Sequence, residues 1–356
     1  MDPRPMHNKG DLTMKKNESI YITKPGSVEI RPADYPVPKE GEALLELVYG
    51  GICGSDLNTY RGNYAYAIYP NIPGHEFSAR ILEIPENGAG LKPGMLVTAN
   101  PYFNCGSCYS CRRGFLNCCV DNQTMGCHRE GAFSRYITLP VERLYNGNGL
   151  DARRLALVEP FCISYHGVRR ARIQPGDKVL VVGSGTIGIN AMLAAKHFGA
   201  EVYVADVVPE KLSFASKMGA DGTILNSGPD DFLKAAADAT GGDLFDAAIE
   251  AVGLPSTFQN CIDAVCCEGR VCVIGIGNQT LDFHYTMIQK KELNIFGSRN
   301  ALKEDFMDVI ALFSKGTFDP LDIVTNEYRF EDAPKALEDF DRHSGSMLKV
   351  LLDFTC

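Results

Sequence analysis

Residues 178–188 read Lys-Val-Leu-Val-Val-Gly-Ser-Gly-Thr-Ile-Gly, an apolar run that leads into three closely spaced glycines. The apolar run at 178–182 predicts a buried strand, and the stretch 186–197 predicts a helix directly after it. The alternation continues along the chain, with strands at 201–205, 223–225, 244–250, 270–276 and 292–297 and helices at 209–218, 230–239 and 255–265. Alternating strands and helices predict the α/β class with a doubly wound parallel sheet.

The glycines form the pattern G-x-G-x-x-G between a strand and a helix, which is the context that makes this pattern informative. Gly183 permits a tight turn, Gly185 lets the backbone approach a pyrophosphate, and Gly188 lets the helix pack closely on the strand. The helix N-terminus, with Thr186 and Ile187, would then stabilise the phosphate charge. The loop predicts a dinucleotide site, and the alternative is a tight turn that binds no ligand.

Asp206 ends the second strand of this series, at the place where a carboxylate accepts hydrogen bonds from the ribose of a dinucleotide. A carboxylate there would repel a 2′-phosphate, so the sequence favours NAD over NADP. Asp206 is also placed to cap the helix that follows, and the two roles are compatible.

The first part of the chain, to about residue 156, differs in character from the alternating part. Short runs at 43–48, 77–84 and 95–99 predict strands broken by turns, so this region is expected to be a β-rich domain. The last part has predicted helices at 305–313 and 333–342 and a predicted strand at 348–352. A length of 356 residues is consistent with two domains.

Four cysteines follow the spacing C-x2-C-x2-C-x7-C at Cys105, Cys108, Cys111 and Cys119, with Cys118 as another choice for the fourth position. Four thiolates close a tetrahedral zinc site with no open position, which is a structural site. An iron–sulfur cluster is the rival, but its run requires a fourth cysteine and a proline where this chain has Phe115 and Leu116.

A catalytic zinc needs a few protein ligands and a vacant place. Candidate ligands are Cys53, His75, Glu76 and Glu159, and Ser55 is a candidate proton relay. Taken singly, each has an ordinary reading as a packing residue, a satisfied core histidine or a solvated serine.

Composition argues against other classes of protein. The net charge is −9 and no basic block stands out, so nucleic-acid and anionic-membrane partners are not expected. No apolar run reaches 18 residues, and the polar N-terminus lacks the apolar core of a signal peptide, which favours the cytoplasm. Residues 1–13 look like an added or disordered extension, with Met14 as an alternative start.

Five motifs in order resemble the zinc-dependent medium-chain dehydrogenases, in the branch that acts on polyols and sugar acids. They are the glycine loop, the four-cysteine lobe and the segments 51–56, 73–76 and 158–160, and the likeness covers nearly all residues after about 20. The resemblance implies a GroES-like catalytic domain at 1–158 with a zinc lobe at about 100–122. A Rossmann NAD-binding domain would follow at 159–301, and residues 302–356 would return to the catalytic domain.

The resemblance also implies roles for individual residues. Two zincs per chain are expected: a structural one on the cysteines with Cys119 as fourth ligand, and a catalytic one on Cys53, His75 and either Glu76 or Glu159. Ser55 would take the substrate proton and Asp56 would lie near the metal. NAD is the expected cofactor, and relatives are dimers or tetramers, so a homo-oligomer is expected. Further cofactor contacts would come from Lys211 beside the ribose and, at the nicotinamide, from Ile274, Gly275, Ile276 and Ser298.

A narrower likeness, to bacterial L-galactonate and L-gulonate 5-dehydrogenases, lies in the short segments 117–119, 126–128, 159–161, 166–170 and 297–300. It implies hydride transfer between NAD and a secondary alcohol of a sugar acid, at the 5-position, giving a keto sugar acid. Arg299 would pair with the substrate carboxylate, or else contact cofactor or water, and His128 and Arg129 would face the substrate.

Three other functions stay open at this point. The first is a dehydrogenase of polyols or polyol phosphates with the same fold and metal. The second is a zinc-free reductase of this fold, and the third is a nucleotide-binding module without chemistry. The Cys53, His75 and Glu159 set argues against the zinc-free reductase.

Overall fold

The structure is a computed structural model that describes residues 16–63 and 67–356. The expected extension at 1–13 lies outside the described residues. The strands are β1 (Asn17–Lys24), β2 (Ser27–Ala33), β3 (Glu42–Ile52), β4 (Glu76–Glu83), β5 (Leu96–Ala99), β6 (Tyr102–Phe103), β7 (Gln123–Thr124), β8 (Tyr136–Pro140), β9 (Leu144–Asn146), β10 (Lys178–Val182), β11 (Glu201–Asp206), β12 (Gly222–Leu225), β13 (Phe245–Glu250), β14 (Val265–Val273), β15 (Asn294–Gly297), β16 (Val324–Arg329) and β17 (Lys349–Asp353). The α-helices are α1 (Gly54–Arg61), α2 (Tyr109–Arg112), α3 (Ala152–Ala156), α4 (Val158–Arg170), α5 (Thr186–His197), α6 (Pro209–Lys217), α7 (Pro229–Thr240), α8 (Pro255–Ala264), α9 (Thr286–Lys291), α10 (Lys303–Lys315) and α11 (Ala333–Arg342).

The alternating half forms a six-stranded sheet in the order β12-β11-β10-β13-β14-β15, and every neighbouring pair is parallel. This confirms the α/β class and the doubly wound sheet. Strand β14 runs from 265 to 273 and not from 270 to 276, so Ile274, Gly275 and Ile276 lie in the loop after it. That loop leaves the carboxyl end of the sheet, where ligands bind in folds of this type.

The first part of the chain is β-rich, as predicted, and its seven-stranded sheet includes strands from the C-terminus. Strand β17 pairs antiparallel with β3 and parallel with β16. Helix α10, by contrast, packs with α4 in the core of the six-stranded sheet. The domain bounds 1–158, 159–301 and 302–356 stay a prediction, because residues 302–356 contact both halves. Among the described residues, no helix is both long and apolar enough to cross a bilayer.

Helix α4 is missing from the sequence-based prediction, although it positions much of the site. Almost every residue from 158 to 168 is buried, and polar residues such as Glu159 and His166 are buried with the apolar ones, so polarity does not mark an exposed face. Pro160 lies in the first turn, where a proline is tolerated. Gly167 is required by packing, because a Cβ there would lie 2.3 Å from the Ile274 side chain.

Candidate active site and metal centres

Cys53, His75 and Glu76 come together where strands β3 and β4 pair. Their ligand atoms all lie within 4.8 Å of one another. Antiparallel pairing places Gly51 opposite Glu76, and this register brings the end of β3 beside the start of β4. A side chain at position 51 would collide with the Glu76 carboxylate, since its Cβ would lie 2.3 Å from Oε2. The backbone therefore sets the geometry of this group.

The Asp56 side chain stabilises the backbone around the same three residues. Its buried carboxylate accepts hydrogen bonds from the backbone N–H of Cys53, at 2.9 Å, and of Gly74, at 3.2 Å. Burial raises the pKa of the Asp56 carboxyl, while its hydrogen bonds and nearby His75 act in the opposite direction. Asp56 thus fixes the backbone at Cys53 and at Gly74, next to His75, and its expected place near the metal stays a prediction.

Glu76 has a counter-charge that the sequence analysis missed. Lys349, at the start of β17, is 2% exposed, and its Nζ donates to the two Glu76 carboxylate oxygens at 2.8 and 2.6 Å. Burial, the largest single influence, would lower the pKa of Lys349, but the charges of Glu76, Cys53 and Glu159 and the hydrogen bond to Glu76 together raise it. A lysine beside the apolar run 350–352 was the only signal in the sequence.

Glu159 lies outside the three-residue group but close to it. The hydroxyl of Tyr102, which is also buried, donates to its carboxylate. Burial raises the pKa of Glu159 to about 7, and the charge of His75 opposes that shift. Glu159 is therefore a buried carboxylate that interacts with the charge of His75 and is hydrogen-bonded to Tyr102. Tyr102 was not predicted from the sequence.

Two polar atoms of these segments are buried and make no hydrogen bond with any described residue: the Ser55 hydroxyl and Nδ1 of His75. Buried polar atoms are normally satisfied, so both point to a partner acquired on binding. Thiolate, imidazole and carboxylate are zinc donors, and a few protein ligands with an open position are typical of catalytic zinc. The residues present fit the metal that the resemblance implies.

A second group contains the sulfurs of Cys105, Cys108, Cys111 and Cys119, which all lie within 4.8 Å of one another. Cys118 is exposed and is not a member. The backbone N–H groups of Cys105 and Cys108 donate to sulfurs of the group, at 3.2 and 3.3 Å. Hydrogen bonds led by that from Cys108 lower the pKa of Cys105 to about 6. Four sulfurs with supporting N–H donors suit a closed zinc site.

The glycine loop has the predicted form. Gly183 has φ of +100°, which favours glycine, and a Cβ at Gly188 would lie 1.8 Å from the Gly183 carbonyl oxygen. A Cβ at Gly185 meets nothing within 4 Å, so that face of the loop is open. Asp206 accepts hydrogen bonds from the backbone N–H and hydroxyl of Ser184, at 2.8 and 2.6 Å, and from Val208 N–H at 3.0 Å. Asp206 therefore also stabilises the loop.

The remaining cofactor candidates differ in burial and in hydrogen bonding. Ile274 is buried against α4, whereas Ile276 is 95% exposed. The Ser298 hydroxyl is buried and makes no hydrogen bond with the described residues, so it is available to a ligand. The Thr186 hydroxyl donates to the Leu348 carbonyl, at 2.7 Å. Two further candidates are partly buried, Gly275 in the loop after β14 and Lys211 on α6.

The two substrate candidates are exposed and near each other. Burial, together with the positive charge of Arg299, lowers the pKa of His128. Arg129 turns its guanidinium over the Phe103 ring, 3.7 Å from the ring centroid. Arg299 and His128 thus supply positive charge and a donor at one place on the surface.

Comparisons with known proteins identify the family of this chain. The alcohol dehydrogenase GroES-like domain matches residues 39–148, and the zinc-binding dehydrogenase family matches residues 186–315. L-galactonate-5-dehydrogenase of Escherichia coli K12 is 34% identical over 335 residues, which cover 94% of this chain and 98% of the relative. Sorbitol dehydrogenase of Halalkalibacterium halodurans is 30% identical, covering 92% of this chain and 96% of the relative.

Among solved structures, an E. coli alcohol dehydrogenase (rspB) complexed with NADH has a TM-score of 0.88 and 30% identity. The superposition covers 95% of this chain and 99% of that one. Fold, metal-ligand groups and sequence all agree: the chain belongs to the zinc-binding alcohol dehydrogenase family, the oxidoreductases with a GroES-like domain that its motifs resemble.

Proposed function

We propose that this enzyme transfers hydride between NAD and a secondary alcohol of a sugar acid, of the L-galactonate or L-gulonate type, at the 5-position. The observation that supports the redox chemistry is the group of half-buried Cys53 with buried His75 and Glu76, near the Ser55 hydroxyl, which makes no hydrogen bond with the described residues. The similarity to L-galactonate-5-dehydrogenase supports the substrate class. The product would be a keto sugar acid.

Cys53 and His75 would hold the catalytic zinc together with one carboxylate. Glu76 is closer to them, but both of its oxygens already accept hydrogen bonds from Lys349. Glu159 is engaged by one donor among the described residues, the Tyr102 hydroxyl, and retains a second oxygen. We therefore propose Glu159 as the third ligand, with Glu76 held back by Lys349. The structural zinc would be held by the four cysteines of the lobe.

When bound, zinc supplies a Lewis acid that makes a substrate hydroxyl more acidic, and the nicotinamide of NAD supplies the hydride acceptor. The protein contributes orientation and proton transfer. Ser55 would relay the hydroxyl proton, accepting it while its own proton passes on towards solvent, because its hydroxyl is buried and free to form that hydrogen bond. Gly183 to Gly188 would cradle the pyrophosphate and Asp206 would bind the ribose, while Ile274 and Ser298 would face the nicotinamide.

Arg299 and His128 favour an anionic substrate. A guanidinium pairs bidentately with a carboxylate, and Arg299 makes no side-chain hydrogen bond or ion pair with the described residues that would compete. A polyol or polyol-phosphate dehydrogenase is the second candidate, because sorbitol dehydrogenases are also similar to this chain.

The homo-oligomer stays a prediction. The edge strand β15, on which Ile295 is exposed, is a suitable contact between subunits. Light scattering measures the mass of the assembly in solution.

Replacing Cys53 by Ala tests the metal-dependent chemistry. We expect Cys53→Ala to reduce NADH formation to the background rate and to lower the zinc content from two ions per chain to one. NAD binding, followed by calorimetric titration, should remain, because the glycine loop is untouched. Cys356→Ser, at an exposed thiol near the C-terminus, is the matched control and should behave as the parent protein.

Retained turnover in Cys53→Ala would contradict the zinc role. A parent protein that binds NAD without turning over any sugar acid or polyol would favour the nucleotide-binding module. A zinc-free parent protein that reduces an activated double bond would favour the reductase.

A further inference from the structure

Asn117 lies in the cysteine lobe, two residues before Cys119, and its side chain is buried. Its amide Nδ2 donates to the backbone carbonyl of Arg299, at 2.9 Å. In return, the Asn300 side chain donates to the backbone carbonyl of Asn117, at 3.3 Å. The lobe and the segment after β15 are therefore joined by two reciprocal hydrogen bonds, although they lie 182 residues apart in the chain.

The orientation of the Asn117 amide is fixed by its partners. Nδ2 also lies 3.2 Å from Nε2 of His166 on α4. If the amide were reversed, its oxygen would face the Arg299 carbonyl, and two acceptors would meet without a proton. The atom of the Asn117 amide that faces the Arg299 carbonyl and His166 must therefore be Nδ2. Since it can only donate, Nε2 of His166 accepts, and the imidazole carries its proton on Nδ1.

Asp305 completes the chain at the first turn of α10. Its Oδ2 lies 2.8 Å from Nδ1 of His166, its Oδ1 accepts from Arg169 at 2.8 Å, and it also caps the Leu302 N–H. Burial alone would raise the pKa of Asp305, but the hydrogen bonds, led by that from His166, lower it. The Asp305 carboxylate is charged and holds the His166 tautomer that accepts from Asn117.

This chain of contacts matters because the Arg299 side chain is held by little else. Its guanidinium is exposed and makes no hydrogen bond or ion pair with the described residues, so its direction depends on the backbone at 299. That backbone is fixed by Asn117 and by Asn300. Three of the short segments that carry the narrower likeness, 117–119, 166–170 and 297–300, thus meet in one buried network.

We infer that Asn117 is a specificity-determining positioning residue: it fixes the backbone at Arg299 and so aims the guanidinium at an anionic group of the substrate. The inference rests on the proposed function, because it acts through the Arg299 contact to a substrate carboxylate. It also gives the closed cysteine lobe a part in choosing the substrate, although the lobe has no open metal position.

The test compares Asn117→Ala with the parent enzyme on L-galactonate and on a neutral polyol, sorbitol. Losing the hydrogen bond that orients Arg299 should raise KM for L-galactonate about tenfold. KM for sorbitol and kcat on both substrates should stay close to the parent values, and the protein should keep two zincs per chain. Asn122→Ala is the matched control, since Asn122 is buried in the same region and bonds there to Thr124.

A double-mutant cycle separates this inference from the proposed function. Arg299→Ala should raise KM for L-galactonate selectively, and adding Asn117→Ala should raise it no further, because both changes remove one contact. Additive effects, an equal rise of KM for sorbitol, or loss of the lobe zinc would overturn the inference. If Arg299→Ala is selective and Asn117→Ala is not, the inference falls while the proposed function stands. If Arg299→Ala is not selective, the carboxylate contact itself fails.

Discussion

At the scale of single residues, the buried pair of Lys349 and Glu76 places two opposite charges beside Cys53 and His75. An ion pair taken out of water gains little net stability, but either partner left alone is strongly destabilising. The pair is therefore better understood as a device that fixes the Glu76 carboxylate than as a source of stability. In the proposed function it leaves Cys53, His75 and Glu159 as the ligands of the metal.

Replacing Lys349 tests whether the buried Glu76 carboxylate needs this counter-charge. Lys349→Met leaves the Glu76 charge buried without a partner, so the free energy of unfolding should fall by about 3–5 kcal/mol. Urea denaturation of the zinc-loaded protein measures it. Lys92→Met, at an exposed lysine, should change stability by no more than about 0.5 kcal/mol.

The double variant Glu76→Gln with Lys349→Met should recover much of the loss, because no charge is then left buried. A Lys349→Met protein as stable as the parent would contradict the account of the pair.

Residues such as Cys53, His75 and Glu159 were predictable because short motifs surround them and occur in a fixed order. Lys349 was not, because its partner lies 273 residues away and no local pattern links the two. Tyr102 and Asn117 were missed for the same reason: their roles come from contacts that only the folded chain creates. The structure places Arg299 and His128 together, but whether they bind substrate stays a proposal.

At the scale of elements, strand β10 is joined to helix α5 by the glycine loop. Glycine is expected at positions 188 and 185 for different reasons. A Cβ at 188 would overlap the Gly183 carbonyl, whereas a Cβ at 185 would enter open space on the side where the cofactor should bind. The glycine at 188 serves packing, and we expect the glycine at 185 to leave room for the cofactor.

The two positions make a matched pair of variants. Gly188→Ala should lower the melting temperature, because the helix must move away from the loop. Gly185→Ala should keep the melting temperature within a few degrees of the parent and weaken NAD binding, which calorimetric titration measures. Equal NAD affinity in Gly185→Ala and the parent would contradict the placement of the pyrophosphate.

Two helices were predicted to the residue: α5 and α11 have the predicted bounds, 186–197 and 333–342. Helix α4 was missed because its polar residues, such as Glu159 and His166, are buried with the apolar ones, so polarity does not mark an exposed face. The bounds of β14 were wrong by a few residues, since an apolar loop after a buried strand looks like its continuation.

At the scale of the whole molecule, the two sheets are tied together by the last strand. Strand β17 joins the seven-stranded sheet and carries Lys349 into the candidate metal site. The carbonyl just before it accepts a hydrogen bond from Thr186 in the glycine loop. The candidate metal site and the glycine loop therefore both contact the start of the same strand. Local sequence predicted both sites but not this contact, because pairing of distant strands leaves no mark on short segments.

The most direct test of the whole account is the rate of NADH formation by the zinc-loaded protein with different alcohols. L-galactonate and L-gulonate would be compared with sorbitol and galactitol at equal concentrations. The account predicts NADH formation with at least one of the two sugar acids, at a higher kcat/KM than with either polyol. NADH formation with the polyols but not with the sugar acids would contradict it.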